Sequence, residues 1–261
     1  MSRELGVSRH TWPALLACLL TIPTLGVSTA MAFSDHPAIA DLTANGSAKI
    51  LPGPNGGYVL LLTPAEESQE GSVFTTNRSV FNPSYAFRTF FQFQMTDTAS
   101  TGAADGITFV LQSESANALG TDGGSLGYAG IPASVAVEFD TWYNAGTDIN
   151  DNHVAILTGG RLIDFDPQTP YGVTNCQPSA GVFGCMSNGD LWSVWIDYDG
   201  VNLTVAIADN STTRPPDLIS YPINIAELLG HIPAFVGFTA GTGAAWQNHW
   251  IVAWQFMPAP V

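Results

Sequence analysis

The alternation of apolar and polar residues predicts a chain built of β-strands. In the segment 85–95, the large apolar side chains share one face, as in a strand with one buried side: Tyr85, Phe87, Phe91, Phe93 and Met95. Similar segments recur between Gly, Asn, Asp and Pro, and the predicted strands are residues 57–63, 85–95, 106–112, 134–141, 191–198, 201–208, 234–240 and 249–256. Only residues 223–229 indicate a helix, and Asp199-Gly200 indicates a hairpin. The pattern is typical of an all-β sandwich or jelly roll with antiparallel sheets.

Composition and charge narrow the classes of partner. With 26 Gly and 17 Pro in 261 residues, the chain suits many short elements in a single domain. Its 22 acidic and 7 basic residues give a formal charge of −15. Such a charge repels a polyphosphate backbone and an anionic membrane surface, so we expect neither nucleic acid nor membrane as a partner.

The first 32 residues have the features of a signal peptide. Two arginines precede an apolar run at 12–27, and Ala30-Met31-Ala32 provides a cleavage site before Phe33. A membrane anchor is the competing interpretation, but the run is short and interrupted by two prolines. We therefore expect a secreted or extracellular protein, periplasmic if bacterial, with a domain at 33–256 and a tail at 257–261.

Two cysteines remain after removal of this segment. Cys176 and Cys185 lie nine positions apart in a loop rich in Gly, Pro and Ser. In an oxidising compartment this spacing favours a disulfide over two free thiols. A zinc site would require further Cys or His nearby, which the segment lacks.

Acidic residues cluster at the end of the predicted strand 134–141. Glu138 and Asp140 lie on the face opposite Val135, Val137 and Phe139, and the following loop adds amide, carboxylate and imidazole groups. No Lys or Arg occurs between positions 89 and 160. Paired carboxylates without a basic partner favour a bound cation, calcium for hard oxygen ligands and manganese where a His is added. An ordinary solvated acidic turn is the alternative.

Four motifs resemble the legume-type (L-type) lectin family, in the family's order and across nearly the whole predicted mature chain. They are residues 104–109 (Ala-Asp-Gly-Ile-Thr-Phe), 123–127 (Gly-Gly-Ser-Leu-Gly), 135–153, and 236–243 (Val-Gly-Phe-Thr-Ala-Gly-Thr-Gly) with the closing Trp-Gln-Phe at 254–256. The resemblance implies a jelly-roll sandwich that binds carbohydrate and catalyses no reaction. It also implies a cis peptide bond between Ala104 and Asp105.

The resemblance implies two neighbouring metal sites. It assigns to calcium the residues Asp140, Trp142 through its main-chain carbonyl, Asn144 and Asp148. It assigns to manganese, or another transition ion, the residues Glu138, Asp140, Asp148 and His153. The loop spacing leaves Asp151 as an alternative to Asp148.

The resemblance also implies a sugar site beside the metals. The matching residues are Asp105, the main-chain N–H of Gly124, Asn144, and the specificity positions Ala244 and Ala245. A carboxylate, an amide and a closely approaching N–H suit vicinal hydroxyl groups. Trp142 or Trp246 could stack on a sugar ring, although a buried aromatic is the more common role. Family members often dimerise through the back sheet, which makes a homodimer an expectation.

Two other functions compete. In a glycoside hydrolase on the same architecture, Glu138 and Asp140 would begin a motif with a second glutamate near Trp142 or Tyr143, where the chain has none. A structural or adhesive module with a decayed site is the other alternative. The retained matches at Asp105, Gly124 and Asn144 argue against decay.

Overall fold

The computed structural model describes residues 41–53, 57–78, 82, 85–163, 170–173 and 186–259. The chain divides into units 1–33 and 34–261, and all described residues belong to the second. The predicted signal peptide and the cysteines Cys176 and Cys185 lie outside the described residues. No helix of the described part has both the length and the apolar character that crossing a bilayer requires.

Fourteen strands form two antiparallel sheets in the described part of the chain. The strands are β1 (Leu42–Gly46), β2 (Lys49–Pro52), β3 (Tyr58–Thr63), β4 (Glu70–Thr75), β5 (Phe87–Thr96), β6 (Gly106–Gln112), β7 (Ser134–Asp140), β8 (His153–Thr158), β9 (Tyr171–Val173), β10 (Trp192–Tyr198), β11 (Asn202–Asp209), β12 (Ile219–Pro222), β13 (Phe235–Gly241) and β14 (Asn248–Pro258). The front sheet has the order β1-β4-β13-β6-β7-β8-β9, and the back sheet has the order β12-β11-β10-β5-β14-β3-β2. One short helix, α1 (Ile225–Leu228), follows β12.

Aromatic side chains from both sheets fill the space between them. Phe91 of the back sheet contacts Phe139 and Phe238 of the front sheet, with ring centroids 5.7 and 5.0 Å apart. Phe238 also packs edge-on against Trp254, at 5.0 Å. Edge-to-face contacts of this kind add to the stabilisation from apolar burial. They fix the front strands that carry the acidic residues against the back sheet.

The front sheet is covered on both faces. Val135, Val137 and Phe139 join the main core, as their alternation predicts. On the opposite face, Ala136 belongs to a second apolar cluster with Tyr128 and neighbouring strand residues. Glu138 and Asp140 also lie on that opposite face, yet each is only 2% exposed. Their carboxylates are therefore held in an environment with little water.

The structure confirms the all-β jelly-roll prediction and adds detail. Each of the eight predicted strands is present, α1 lies within the predicted helix, and the hairpin at Asp199-Gly200 joins β10 to β11. Tyr85 is an exception, because it precedes β5 and is exposed. The last strand continues past Phe256 to Pro258, where it pairs with Phe87, so two residues of the expected tail belong to the sheet.

Six strands were missed by the pattern: β1, β2, β4, β8, β9 and β12. β4 and β8 each have six residues, of which five are buried and none is exposed, so these strands show no alternation between buried and exposed positions. The others have three to five residues, too few for a periodic signal.

Candidate functional site

Two adjacent front-sheet strands bring an acidic cluster together. Glu138 and Asp140 lie on β7, and His153 begins β8 directly opposite Asp140 in the antiparallel register. One ligand atom from each of the three side chains lies within 4.8 Å of the others, and all three residues are buried. The sequence interpretation placed His153 on a loop, but strand pairing positions it. A single cation could contact all three groups.

The hydrogen bonds of His153 orient its ring for metal binding. Its Nδ1 lies 2.8 Å from the main-chain carbonyl oxygen of Asn150, which can only accept, so Nδ1 carries a proton. In the neutral ring, Nε2 is then unprotonated, and it lies 3.3 Å from Glu138 Oε1. A carbonyl that fixes the far nitrogen is the usual support of a metal-ligating histidine.

Asp140 is a strongly perturbed carboxyl group of the cluster. Burial raises its pKa well above the ordinary value, and the neighbouring Glu138 and Asp148 raise it further. His153 and a main-chain hydrogen bond from Trp142 lower it in part; the Trp142 N–H donates to Asp140 Oδ1 at 2.7 Å. The protein alone therefore does little to stabilise the charged form of Asp140. A divalent cation would supply the missing positive charge.

Asp148 and Asp151 are the two candidates for the carboxylate that would bridge both predicted metal sites, and they occupy different environments. Asp148 is 6% exposed, and its Oδ2 accepts a hydrogen bond from the main-chain N–H of Asn144. Its charge acts on both Asp140 and Asp105. Asp151, in contrast, is exposed to solvent. This difference favours Asp148, the residue that the sequence interpretation preferred.

The residues of the predicted sugar site meet where three loops converge. A Cβ added to Gly124 would lie 2.6 Å from Asn144 Oδ1, and a Cβ added to Gly243 would lie 3.4 Å from Asp105 Oδ2. Gly123 connects the two sides, because the same Cβ at position 243 would lie 3.5 Å from its Cα. Glycines thus allow the main chain to approach both polar side chains. Asp105 and Asn144 face a common glycine-lined surface.

Two oxygen atoms at this surface are buried without a hydrogen-bond partner among the described residues. They are Asp105 Oδ2 and Asn144 Oδ1. Buried polar atoms without partners are rare in native proteins and are costly. Burial raises the pKa of Asp105 to about 7, and the charges of Asp122 and Asp148 act in the same direction, while a hydrogen bond from the Gly243 main chain opposes them. The preceding peptide bond, Ala104–Asp105, is cis, as the resemblance implied.

The remaining predicted contacts lie at the rim. Ala244 is exposed and Ala245 is buried in a tight turn in which the Gly243 N–H donates to the Ala245 carbonyl oxygen, at 3.1 Å. Trp142 is 36% exposed and covers Gly102, where an added Cβ would come within 2.7 Å of its ring. Trp246 is partly buried. Trp142 is therefore packed on one side and open on the other.

Sequence reasoning missed two contributors. Gly243 was assigned to a motif without a role, yet it lines the Asp105 side of the surface. Thr141 was regarded only as part of a strand, but its N–H and hydroxyl both donate to the Asp105 carbonyl oxygen, at 2.8 and 2.9 Å. The available signal in the sequence was that Thr141 lies between Asp140 and Trp142, two residues of the predicted calcium site.

Comparisons with known proteins agree with this geometry. A family model described as the legume lectin beta-barrel domain matches residues 35–253. The L-type lectin-domain containing receptor kinase I.8 of Arabidopsis thaliana is 32% identical over 230 residues, which cover 83% of this chain and 34% of that protein. Receptor kinase VIII.1 of the same plant is 29% identical over 79% of this chain and 27% of its own length. The chain thus spans about a third of the length of these relatives.

Solved structures show the same fold. A lectin from Bauhinia forficata, solved in complex with GalNAc, is 22% identical with a TM-score of 0.66, over 86% of this chain and 95% of that one. Peanut lectin is 24% identical with a TM-score of 0.66, over 87% of this chain and 94% of its own. Because the family model covers most of the sequence and the fold agrees, the chain belongs to the legume lectin (L-type lectin) domain family.

Proposed function

We propose that this protein binds carbohydrate in a divalent-cation-dependent manner and catalyses no reaction. The observation that carries the proposal is the convergence of Asp105 and Asn144, each with a buried oxygen lacking a partner, on one glycine-lined surface. Hydroxyl groups of a sugar could donate to Asp105 Oδ2, and a cation could coordinate Asn144 Oδ1. The Bauhinia forficata structure in complex with GalNAc and a winged bean lectin structure with Tn-antigen are consistent with this proposal.

The donor set fits calcium together with manganese or another transition ion. The proposed calcium ligands are Asp140, the Trp142 carbonyl oxygen, Asn144 and Asp148, and the proposed transition-ion ligands are Glu138, Asp140, Asp148 and His153. Oxygen-rich coordination suits calcium, and an imidazole nitrogen suits a transition ion. When bound, the cations would neutralise the buried carboxylates. The partnerless Oδ1 of Asn144 supports this assignment, since a ligand atom needs no hydrogen-bond donor.

The chain's own groups would then bind and orient the sugar. The Asp105 carboxylate would accept hydrogen bonds from hydroxyl groups, and the Gly124 N–H and the Asn144 amide would donate to them. Ala244 and Ala245 would form one wall of the site. The open face of Trp142 provides an apolar surface for a sugar ring.

A calorimetric titration tests the proposal. Demetallated protein is titrated with calcium and then with a panel of monosaccharides, before and after addition of chelator. We expect sugar binding in the millimolar to micromolar range, about 4 to 8 kcal/mol per site, that disappears with chelator. Asp105→Asn should abolish sugar binding and retain calcium binding. Chelator-resistant sugar binding, or no binding across a broad glycan array, would overturn the proposal and favour a decayed module.

Glycoside hydrolysis is the weaker candidate. Two carboxyl groups would have to flank the scissile bond at about 5 to 10 Å from each other, with access to the sugar. Glu138 and Asp140 are instead each 2% exposed and gathered around His153, and Tyr143 occupies an exposed position where a second glutamate would be expected. Absence of reducing-sugar release from oligosaccharides by the metal-loaded protein would complete the distinction.

Secretion and self-association extend the proposal. Removal of residues 1–32 as a signal peptide, a disulfide between Cys176 and Cys185, and export remain predictions from the sequence; mass spectrometry of exported protein tests all three.

A homodimer through the outer face of the back sheet is also proposed. The family resemblance supports it, because family members often dimerise through this sheet. Sedimentation analysis would measure the oligomeric state.

A further inference from the structure

A chain of buried polar side chains lies behind Asp105 and has no part in the proposed ligand contacts. Its members are Thr63 of β3, His249 of β14, Gln247 just before β14, and Thr141 just after β7. All four are buried, three of them with no exposed surface. This row of hydrogen-bonded side chains connects β3 and β14 of the back sheet to the glycine-lined surface that Asp105 and Asn144 face.

The end nearest the sugar site fixes the main chain of Asp105. The carbonyl oxygen of Asp105 accepts two hydrogen bonds from Thr141, one from its N–H at 2.8 Å and one from its hydroxyl at 2.9 Å. On the other side, the N–H of Asp105 donates to the Gly241 carbonyl oxygen at 3.1 Å. The Thr141 hydroxyl is therefore one of three groups that set where the Asp105 side chain begins.

Gln247 determines the direction of the Thr141 hydroxyl. Because that hydroxyl uses its proton on Asp105, it must accept its second hydrogen bond, and Gln247 Nε2 lies 3.0 Å away. The oxygen of the Gln247 side chain, Oε1, is buried without a partner among the described residues. Gln247 is thus retained at a position where it is only partly satisfied.

His249 completes the chain as a neutral acceptor. It is fully buried, and burial lowers its pKa to about 3, so the ring carries one proton in the physiological range. Its Nε2 lies 3.2 Å from Gln247 Nε2, and its Nδ1 lies 2.6 Å from Thr63 Oγ1. With Nε2 accepting from Gln247, Nδ1–H donates to Thr63. The ring N–H of His249 and both N–H groups of the Gln247 amide then each meet an acceptor.

We propose that Thr141 and Gln247 are positioning residues of the sugar site: through the hydroxyl of Thr141, the Gln247 amide holds the main chain of Asp105 in the orientation that binds sugar. This inference rests on the proposed function, since Asp105 matters here as a sugar ligand. It assigns a binding role to two side chains that need not touch sugar or metal.

Sugar affinity separates a positioning role of Gln247 from an ordinary stabilising role. Replacing Gln247 by the similarly shaped Met removes a buried oxygen that lacks a partner among the described residues, but it also removes the N–H donors to Thr141 and His249. A purely structural role therefore predicts lower thermal stability with unchanged sugar affinity in the folded protein. A positioning role predicts weaker sugar binding as well.

The experiment uses the metal-loaded full chain and four variants: Thr141→Val, Thr141→Ser, Gln247→Met and the double variant Thr141→Val/Gln247→Met. Calorimetry measures calcium affinity and then the affinity for the tightest monosaccharide of the panel. We expect Thr141→Val to weaken sugar binding about fivefold to tenfold, the cost of one hydrogen bond, with calcium affinity within about twofold. Thr141→Ser keeps the hydroxyl and should restore binding.

The double variant tests whether the two residues act in series. If Gln247 acts through the Thr141 hydroxyl, the double variant should bind sugar no more weakly than Thr141→Val alone. Additive losses would overturn the proposed path. Equal losses in Thr141→Ser and Thr141→Val would do the same, because the hydroxyl would then be irrelevant.

Hydrogen exchange provides a readout that needs no sugar. Peptides spanning residues 99–109 should exchange faster in Thr141→Val and Gln247→Met than in the unaltered protein, whereas peptides from β10 should not change. Unchanged exchange in 99–109 would overturn the positioning role. If the unaltered protein bound no sugar while exchange changed as expected, the proposed function would fail and the mechanical link would stand.

Discussion

Two buried histidines show how similar burial can serve different purposes. His153 and His249 both have no exposed surface; His153 begins β8 of the front sheet, and His249 is the second residue of β14 of the back sheet. His153 faces the carboxylate of Glu138 and lies opposite Asp140. His249 has only neutral polar partners, Thr63 and Gln247. The neighbouring groups, rather than the depth of burial, distinguish a candidate metal ligand from a structural residue.

The comparison also explains why one cluster needs an external charge and the other does not. The His249 network consists of neutral hydrogen-bonding groups, and the low pKa of His249 keeps its ring neutral. The His153 cluster contains carboxyl groups whose charged forms are disfavoured by burial, as the raised pKa of Asp140 indicates. A cation would remove that penalty. The predictions that follow test this contrast, beginning with the largest expected effect.

Loss of Asp140 should eliminate the acidic cluster as a binding site. Because Asp140 is the proposed ligand of both ions, Asp140→Ala should weaken calcium binding by about a thousandfold or more and abolish sugar binding with it, a loss of about 4 kcal/mol. Titration calorimetry measures both. Retained calcium-dependent sugar binding in this variant would contradict the assignment. His249→Phe serves as the control, since it alters the other histidine cluster and should leave calcium affinity within about twofold.

The metal-free protein should lose stability as the pH rises from about 4 to about 7. Asp105 has a folded pKa of about 7, above its value in the unfolded chain, so its stabilising contribution is complete below about pH 4 and is lost as the pH rises through 7. Asp140 acts with the same sign. His249 acts with the opposite sign, because its folded pKa of about 3 lies below its unfolded value, and it offsets part of the loss. The Asp105 contribution is at most about 4 kcal/mol, from about 1.4 kcal/mol for each pKa unit.

Denaturant unfolding in chelator, repeated across this pH range, measures the effect. Asp105→Asn should reduce the slope of the free energy of unfolding against pH, because it removes one of the titrating groups. Saturating calcium should reduce it further by favouring the charged carboxylates of the metal site. A metal-free protein whose stability rises over the same range would contradict the contrast between the two clusters.

The two candidate bridging carboxylates should respond differently to the same substitution. Asp148→Asn should lower calcium affinity about 10-fold to 100-fold, because it removes a charged, buried ligand that also orients Asn144. Asp151→Asn changes an exposed side chain and should stay within about twofold. Calorimetric calcium titration measures both. The reverse order would assign the bridge to Asp151.

His249→Phe should cost stability alone. It leaves the hydrogen-bonding groups of Thr63 and Gln247 without their ring partner, which costs about 1 to 3 kcal/mol and lowers Tm by about 2 to 4 °C for each kcal/mol. Differential scanning calorimetry measures the shift. His231→Asn is the matched control: His231 is exposed with a φ of 58°, a conformation that Asn tolerates, so Tm should hardly change.

The strands that alternate cleanly were predictable because each has one apolar face. β10 places every second side chain in the main core, and β5 does so apart from Thr89; the pattern identified both. The first five residues of β8 are all buried, because the front sheet is covered on both sides, and they show no such alternation. His153 was consequently assigned to a loop. β6, β7 and β13 are likewise buried throughout, yet their apolar residues identified them. Burial on both faces thus weakens the periodic signal without always hiding a strand.

The sequence alone determined the fold class and the presence of an acidic cluster without basic neighbours, since both follow from residue types at short spacing. It could also name Asp105 and Asn144 through family resemblance. Only the tertiary structure decided that their partnerless oxygens share one surface with Gly124 and Gly243, and that Gln247 lies behind Thr141. These contacts join residues as many as 138 positions apart, which local patterns cannot encode, because antiparallel pairing and loop closure set such distances.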